Sequence, residues 1–220
     1  MKISEKNAGN LPLEGGNLCL DFVNSVDWRI SDKKRKEWLK SFSDLILWGR
    51  HANILNEKTA QTLSTTTEKY PNKAEQAYKK AIELREILFR IFSSFAVDRK
   101  PKDCLVLLFN RYLAEAMSKS CLSVSQDSFV WSFCDDSGSL ESLFYPIIKS
   151  AADLMVSSEL SRVKICADDC CGWLFIDMSR NKSRRWCNMK DCGNRAKAKR
   201  HYYRKSKKKI NQIKGTKSKT

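Results

Sequence analysis

Residues 166–195 read CADDCCGWLFIDMSRNKSRRWCNMKDCGNR, and this stretch carries most of the information in the 220-residue chain. Four of its cysteines form two pairs in the spacing C-x4-C-x15-C-x4-C, namely Cys166 with Cys171 and Cys187 with Cys192. Four thiolates delivered as two close pairs can surround Zn²⁺ tetrahedrally. A site of four cysteines has no open coordination position, so the spacing predicts one structural zinc ion that stabilises the fold and does not activate water.

Two alternatives stay open at this site. Cys166 and Cys170 are also a feasible pair, so the participation of Cys170 in metal binding is undecided. An iron–sulfur cluster is the chemical runner-up, although redox clusters favour other spacings. Between the pairs, the segments WLFID and RRWC flank a turn-like SRNKS. They predict a hairpin in which Trp173, Phe175 and Trp186 form a small core beside the metal.

The charge of the chain changes abruptly near residue 161. Residues 1–161 hold 22 Lys and Arg against 21 Asp and Glu, whereas residues 162–220 hold 19 against 4. A near-neutral part followed by a strongly cationic one indicates a polyanionic partner, most often nucleic acid. We predict a body over 1–161, a finger over 162–205 and a basic, disordered tail over 206–220.

The second cysteine pair runs directly into GNRAKAKRHYYRKSKKK, which predicts a cationic helix. Zinc would fix the start of this helix, so that Arg or Lys side chains near it could reach guanine edges in the major groove while others contact phosphates. Two further cations lie in the predicted hairpin. The candidate DNA contacts are Arg184, Arg185, Arg195, Lys197, Lys199, Arg200, Arg204 and Lys205.

Composition also excludes several classes of protein. No apolar run approaches the ~18 residues of a membrane span, and the first ten residues lack the apolar region of a secretory signal. We therefore expect a cytoplasmic protein with no membrane partner. Nine cysteines is an odd number, which disfavours a disulfide framework. The four remaining cysteines are expected to be buried thiols: Cys19, Cys104, Cys121 and Cys134.

The body has the pattern of an α+β fold, mostly helical with a small antiparallel sheet. The strongest periodicity covers 72–97, where Ala77, Ala81, Leu84, Leu88, Ile91 and Phe95 recur at helical spacing. Further helices are predicted over SFSDLILWGRHANIL with Ser43 as N-cap, over 57–69, from Pro101 onward, and over 140–157 with Pro146 in the first turn or at a kink. The run Leu18–Val23 predicts a buried strand, and Gln126-Asp127 predicts a hairpin turn.

The polar residues of the body form no convincing catalytic set, so we do not expect an enzyme. Asp21 and Asn24 beside the predicted strand are candidates for lining a ligand pocket. Such residues more often satisfy local backbone groups.

The segment 162–205 resembles the CGNR zinc finger, which is named for the tetrapeptide Cys192-Gly193-Asn194-Arg195 in this sequence. The resemblance rests on C-G-W-L-F, D-x-S-R-N, R-R-W-C and C-G-N-R-A-K occurring in order. In the family pattern the second cysteine stands two residues before the tryptophan, which implies Cys171 rather than Cys170. The resemblance also implies a small, treble-clef-like finger with a basic C-terminal helix.

Family proteins pair this finger with an N-terminal ABATE domain, which is described as a stress-induced transcription regulator. GGNLCLDFVNSVD, SFSDLILWGR and the helix leading into SRVKIC are similar to that domain. The chain departs from the family pattern in Cys170 and in its long lysine tail.

Three functional hypotheses follow. The first, which the resemblance implies, is a bacterial, zinc-dependent DNA-binding transcriptional regulator whose body senses a small-molecule effector or forms a homodimer. The second is an RNA-binding or ribosome-associated zinc module, because A-form RNA is also read through shape and phosphates. The third, and least favoured, is an enzyme tethered to nucleic acid.

Overall fold

The computed structural model describes residues 5–133 and 139–216, with side chains as far as Lys205 in the last helix. Within these residues the chain is mostly helical. The α-helices are α1 Leu18–Val23, α2 Phe42–His51, α3 Glu57–Lys69, α4 Pro71–Phe95, α5 Asp103–Ser118, α6 Tyr145–Val156 and α7 Asn194–Thr216. Short 3-10 helices cover Ala8–Asn10, Leu140–Phe144 and Ser158–Arg162, and a π-helical turn covers Met189–Gly193.

The strands of the described residues form antiparallel two-stranded ribbons rather than one small sheet. The ribbons are β1 Val26–Asp27 with β2 Lys36–Glu37, β3 Ser120–Ser125 with β4 Ser128–Phe133, and β5 Val163–Ile165 with β6 Leu174–Ile176. Gln126 and Asp127 form the turn between β3 and β4, which confirms the predicted hairpin. The predicted α+β class, with a finger and a basic helix at its C-terminal end, is also confirmed.

Helix α4 is the central helix of the body. It packs against α1, α2, α3 and α5 and against both strands of the β5–β6 ribbon. The predicted apolar stripe is buried from Ala77 to Ile91, whereas Phe95 in the last turn is 38% exposed. The 3.6-residue repeat was therefore a correct guide to this helix and to its buried face.

The run Leu18–Val23 is a helix, and the predicted strand is wrong. Asn17 caps the helix by accepting a hydrogen bond from the Cys19 amide, and Asp21 accepts one from the amide of Gly15. Cys19, Leu20, Phe22 and Val23 are buried and Asp21 is not, a distribution that suits one helical face. A six-residue apolar run cannot be assigned by periodicity alone, and here the polar cap decides it.

Several helix boundaries differ from prediction by one or two residues. The N-cap of α2 is Ser41, whose hydroxyl accepts from the Asp44 amide, and not Ser43. Helix α5 begins at Asp103, two residues after Pro101. Pro146 lies in the first turn of α6, which selects that alternative over a kink. Ser41 is the N-cap because it is extended and lies three residues before the Asp44 amide, one of the two positions that an N-cap side chain can reach.

The cysteines outside the finger do not all match the prediction of buried thiols. Cys19 is buried and free, but Cys104 is exposed on α5. Cys121 in β3 is disulfide-bonded, so the prediction of a free thiol is wrong at this position. Cys134 lies outside the described residues.

Helix α7 continues beyond the predicted end of the finger. It runs from Asn194 to Thr216, so residues 206–216 are helical where a disordered tail was predicted. Residues 217–220 lie outside the described part of the chain. Lys, Arg and Gln are good helix formers, and a helix already started at Asn194 adds each further residue at low cost.

Strand β6 lies between two buried clusters. Leu174 and Ile176 belong to the large core of the body, whereas Trp173 and Phe175 belong to the small cluster around the cysteines. Alternate residues of a strand point to opposite faces, so one short strand serves both clusters. The body and the finger therefore pack together, although the charge of the sequence changes abruptly near residue 161.

Candidate metal centre and basic helix

The structure brings together the sulfur atoms of Cys166, Cys171, Cys187 and Cys192. All four residues are buried, and their sulfurs lie within 4.8 Å of one another. The Sγ atoms of Cys171 and Cys187 are 3.6 Å apart, as are those of Cys187 and Cys192. A tetrahedron with Zn–S bonds of ~2.3 Å has S···S edges of about 3.8 Å. The donor set therefore fits a zinc ion in both chemistry and size.

The ionisation of these thiols also favours a bound cation. Hydrogen bonds from the other three thiols, with Cys171 first among them, lower the pKa of Cys166. The neighbouring Cys166 sulfur raises the pKa values of Cys171 and Cys187 above the ordinary range. One thiolate therefore forms readily, and further ones repel it unless a cation balances their charge.

The first cysteine pair lies in the connection between β5 and β6. The Cys166 amide donates to the Trp173 carbonyl at 2.8 Å, and the Cys171 amide donates to the carbonyl of Asp168. Gly172 follows with a φ of +73°, and a Cβ there would lie 3.0 Å from the side chain of Ile30. This position requires glycine for its backbone conformation and for its close approach to the body.

The predicted hairpin between WLFID and RRWC is wrong. Strand β6 pairs with β5, with Leu174 opposite Ile165, and residues 184–187 form no strand. The loop that follows β6 is organised by Asp177, which is fully buried and accepts hydrogen bonds from Ser179 and from the Arg184 amide. The sequence pattern did not reveal that β6 pairs with β5, because the segment VKI at 163–165 becomes a neighbour of β6 only in the fold.

Asp177 also forms an ion pair with Lys164, at 2.7 Å. Burial alone would raise the pKa of this carboxyl group, but the hydrogen bonds from Lys164 and Ser179 hold the pKa well below its ordinary value. Asp177 therefore stays ionised and fixes the loop that leads to Cys187.

The predicted small core beside the cysteines is confirmed. Trp173 and Phe175 are buried in the cysteine cluster, and Trp186 packs against it. The indole N–H of Trp173 donates to the carbonyl of Val26 at 2.8 Å. Cys170 is half-buried and stands outside the four-sulfur group.

The second cysteine pair starts the basic helix. The Asn188 side chain accepts hydrogen bonds from the amides of Lys190 and Asp191, and so caps the turn that carries Cys192. The same side chain donates to Glu14 at 2.6 Å. The direction in which α7 leaves the finger is therefore fixed by the cysteine cluster and by a contact with the N-terminal segment.

Asn24 is a link between body and finger. Its amide nitrogen donates to the Leu174 carbonyl at 2.8 Å, and its amide oxygen accepts from the Leu174 amide at 2.9 Å. Asp21 accepts from Gly15, and burial raises its pKa to about 6. Neither side chain lines the two cavities beside the finger. Instead of lining these cavities, both side chains hydrogen-bond to backbone groups, which is the alternative that the sequence already favoured.

Three of the cations predicted to contact DNA have interaction partners within the chain. Arg195 donates to Asp168 at 2.8 Å and to the sulfur of Cys192 at 3.0 Å. Lys199 forms an ion pair with Asp169. Arg184 donates to the Trp186 carbonyl and lies over the ring of Phe175.

The other predicted cations face solvent. Arg185, Lys197, Arg200, Arg204 and Lys205 are exposed. None of them forms an ion pair with another side chain in the described part of the molecule. They are therefore the cations of the finger that remain available to a polyanion.

Two cavities flank the finger. The first, here called the seam cavity, has a volume of about 530 Å³ and lies between the N-terminal segment and the cysteine cluster. Its walls include Glu14, Trp28, Trp173 and Asp191. The second, here called the helix cavity, has a volume of about 460 Å³ and lies against the first turns of α7.

Two comparisons with known families agree with this geometry. Residues 162–205 match the family described as "CGNR zinc finger". Residues 16–158 match ABATE, described as "putative stress-induced transcription regulator". Neither description is that of an enzyme, and both confirm the resemblance drawn from the sequence. No curated protein matches the chain.

None of the described helices is both long enough and apolar enough to cross a bilayer.

Proposed function

The chain belongs to the ABATE family, described as "putative stress-induced transcription regulator", and carries a match to the CGNR zinc finger; from this premise we propose that it is a zinc-dependent DNA-binding regulator. The observation that carries the proposal is the attachment of an exposed cationic helix to a cluster of four buried cysteines. Such a cluster gives the helix a fixed direction, which groove recognition requires.

Cys166, Cys171, Cys187 and Cys192 would hold one zinc ion, which supplies a cross-link between the two cysteine pairs. The residues around it do the remaining work. Asn188 caps the turn before α7, and Arg195 donates to a cysteine sulfur and to Asp168. These contacts orient the helix without using its outer face.

The outer face of α7 is the proposed DNA-contacting surface. Lys197, Arg200 and Arg204 are spaced by three and four residues, so they lie on one side of the helix. Arg195 and Lys199 lie about 160° from Lys197 around the helix, on the side that pairs with Asp168 and Asp169. A helix presenting one free cationic face fits the major groove, where arginine and lysine read guanine and contact flanking phosphates.

The test is zinc analysis together with fluorescence anisotropy on random duplex DNA across a salt series. We expect about one zinc per chain and a log–log salt slope of roughly −0.9 for each phosphate contacted. Replacing Lys197, Arg200 and Arg204 by Ala should flatten that slope and weaken binding at least tenfold. The matched control replaces Lys58, Arg90 and Arg111, which are exposed on helices of the body.

Unchanged binding by the Lys197, Arg200 and Arg204 variant would refute the proposal. Tighter binding to duplex RNA than to duplex DNA would favour the RNA-binding alternative, because charge and zinc serve both.

The body is proposed to sense a small-molecule effector, with dimerisation as the second candidate. The seam cavity supports sensing, because two indole rings and several polar groups line this half-open cavity, whose wall also includes Cys171, Cys187 and Cys192. A thermal-shift panel of metabolites tests this, with Glu14→Gln as a variant of the wall. Sedimentation of a ligand-free dimer, with no compound raising Tm, would favour dimerisation instead.

A further inference from the structure

The body contains a cationic segment that its near-zero net charge conceals. Residues 33–36 read KKRK, and all four side chains are exposed, the first three in the connection from β1 to β2 and Lys36 at the start of β2. We call these four residues the basic loop. Lys33 forms no ion pair with any described side chain, and Arg35 lies 3.8 Å from Glu86. Lys34 and Lys36 lie over the rings of Trp28 and Trp38, so three of the four charges are not balanced by an acidic side chain among the described residues.

The segment leading into the basic loop is fixed to the zinc finger. The Arg29 amide donates to the Cys171 carbonyl at 2.9 Å, and Ile30 packs against Gly172. The Trp28 ring lies 4.3 Å from the guanidinium of Arg195 and 5.4 Å from the ammonium of Lys34. One indole therefore contacts a cation from the finger and a cation from the loop.

The helix cavity shows that the basic loop and the first turns of α7 border the same space. Lys34 and Trp28 line it on the side of the body, and Arg200 and Tyr203 line it on the side of the helix. Asp169 lies in the wall and pairs with Lys199. The side chains of Lys34 and Arg200, neither of which has an ion-pair partner among the described residues, thus meet at one surface.

We propose that the basic loop is part of the DNA interface, where it contacts the phosphate backbone beside the groove that α7 enters. This proposal rests on the proposed function. A helix with its side chains is about 10–12 Å across and the major groove is about 12 Å wide, so a cationic segment beside the helix meets phosphates and not base edges. The loop would therefore add affinity and orientation but little sequence preference.

The test uses the full-length, zinc-loaded protein with Lys33→Gln and Lys34→Gln combined. Each lost phosphate contact should reduce the salt slope by roughly 0.9, so the double variant should lose up to about 1.8. At 0.15 M salt this corresponds to an affinity about tenfold to thirtyfold lower. The matched control is Lys58→Gln with Lys73→Gln, two lysines exposed on α3 and α4.

Two further measurements separate the outcomes. Zinc content and Tm should not change in the double variant, because both lysines are exposed and neither forms an ion pair with a described side chain. Hydroxyl-radical footprinting of the bound duplex should show sugars beside the groove that are protected by the wild type and exposed with the variant.

A wild-type salt slope in the Lys33 and Lys34 variant would overturn this inference. If the Lys197, Arg200 and Arg204 variant had meanwhile lost binding, the proposed function would stand without it. Failure of the wild-type protein to bind duplex DNA would overturn both. Weaker binding by the double variant on duplex RNA alone would assign the loop to RNA and also refute it.

Discussion

The body and the finger are stabilised by different means, although they share a strand. The body buries apolar side chains from α1, α2, α4, α6 and their neighbours in one continuous core. The finger buries four cysteines together with Trp173 and Phe175. An apolar core holds itself together by excluding water, whereas a cluster this small needs a metal to balance its thiolates.

The comparison also shows where the two parts depend on each other. Strand β6 gives Leu174 to the body and Phe175 to the finger, and Asn24 bonds to both backbone groups of Leu174. Metal binding and body stability should therefore be coupled, even though the four-cysteine group found among the described residues lies in the finger. The predictions below challenge that coupling, beginning with the largest effect.

Cys171→Ser should abolish stoichiometric zinc binding and DNA binding together, because the fourth thiolate of the cluster is lost. It should also lower the unfolding midpoint of the body through the shared strand. The measurements are zinc content, DNA anisotropy and far-UV circular dichroism during urea unfolding. Cys170→Ser is the matched control, and it should retain zinc because its sulfur stands outside the cluster.

The coupling would be refuted if Cys171→Ser lost zinc while the body unfolded at the wild-type urea concentration. Loss of zinc from Cys170→Ser would instead require ligand exchange between the adjacent cysteines.

Asn24→Ala should lower the free energy of unfolding by about 3 kcal/mol, because it leaves a buried amide and a buried carbonyl of Leu174 without partners. Zinc affinity should fall as well, since Leu174 lies three residues after Cys171. Urea titration and a competitive zinc chelator measure the two effects. Asn72→Ala, at an exposed position in the first turn of α4, should change neither.

If Asn24→Ala lost stability but kept the wild-type zinc affinity, the stability of the body and zinc binding by the finger would not be coupled.

Asp21→Asn should increase the free energy of unfolding at pH 8 by about 2 kcal/mol. Burial raises the pKa of Asp21 to about 6, above its value of ~3.9 in an unfolded chain. The folded state therefore holds its proton more tightly, and the wild type loses stability as pH rises from about 4 to about 6. The asparagine can still accept from Gly15, so the difference should vanish below about pH 4.

The measurement is urea unfolding of both proteins at several pH values, with zinc content as the control for the finger. A variant less stable than the wild type at every pH would contradict the expected cause.

Local patterns in the sequence were sufficient to predict much of this molecule. The cysteine spacing marked the four residues whose sulfurs converge, and the 3.6-residue repeat marked α4 and its buried face. Both signals lie within short segments, and so they do not depend on what the fold brings alongside. The turn at Gln126-Asp127 was visible for the same reason.

What could not be predicted depends on contacts between distant segments. Arg195 resembled a DNA contact because its sequence neighbours are cations, but the fold places it against Asp168 and Trp28. The partner of β6 was misassigned because VKI gives no sign of pairing until the connection that carries Cys166 and Cys171 has turned the chain. The basic loop lies about 160 residues before α7, and only the structure brings them together.

The shared strand has a consequence for synthesis of the protein on the ribosome. Asn24 is made long before Leu174, 150 residues later, and the body core lacks Leu174 and Ile176 until β6 emerges. Until then the earlier helices expose the apolar surface that Leu174 and Ile176 later cover, and nascent chains in such a state are prone to aggregate. Strand β6 and the cysteines that flank it emerge together, so the supply of zinc at that moment would influence the yield of the entire chain. A shortage of metal should accordingly appear first as insoluble protein and only afterwards as weak DNA binding.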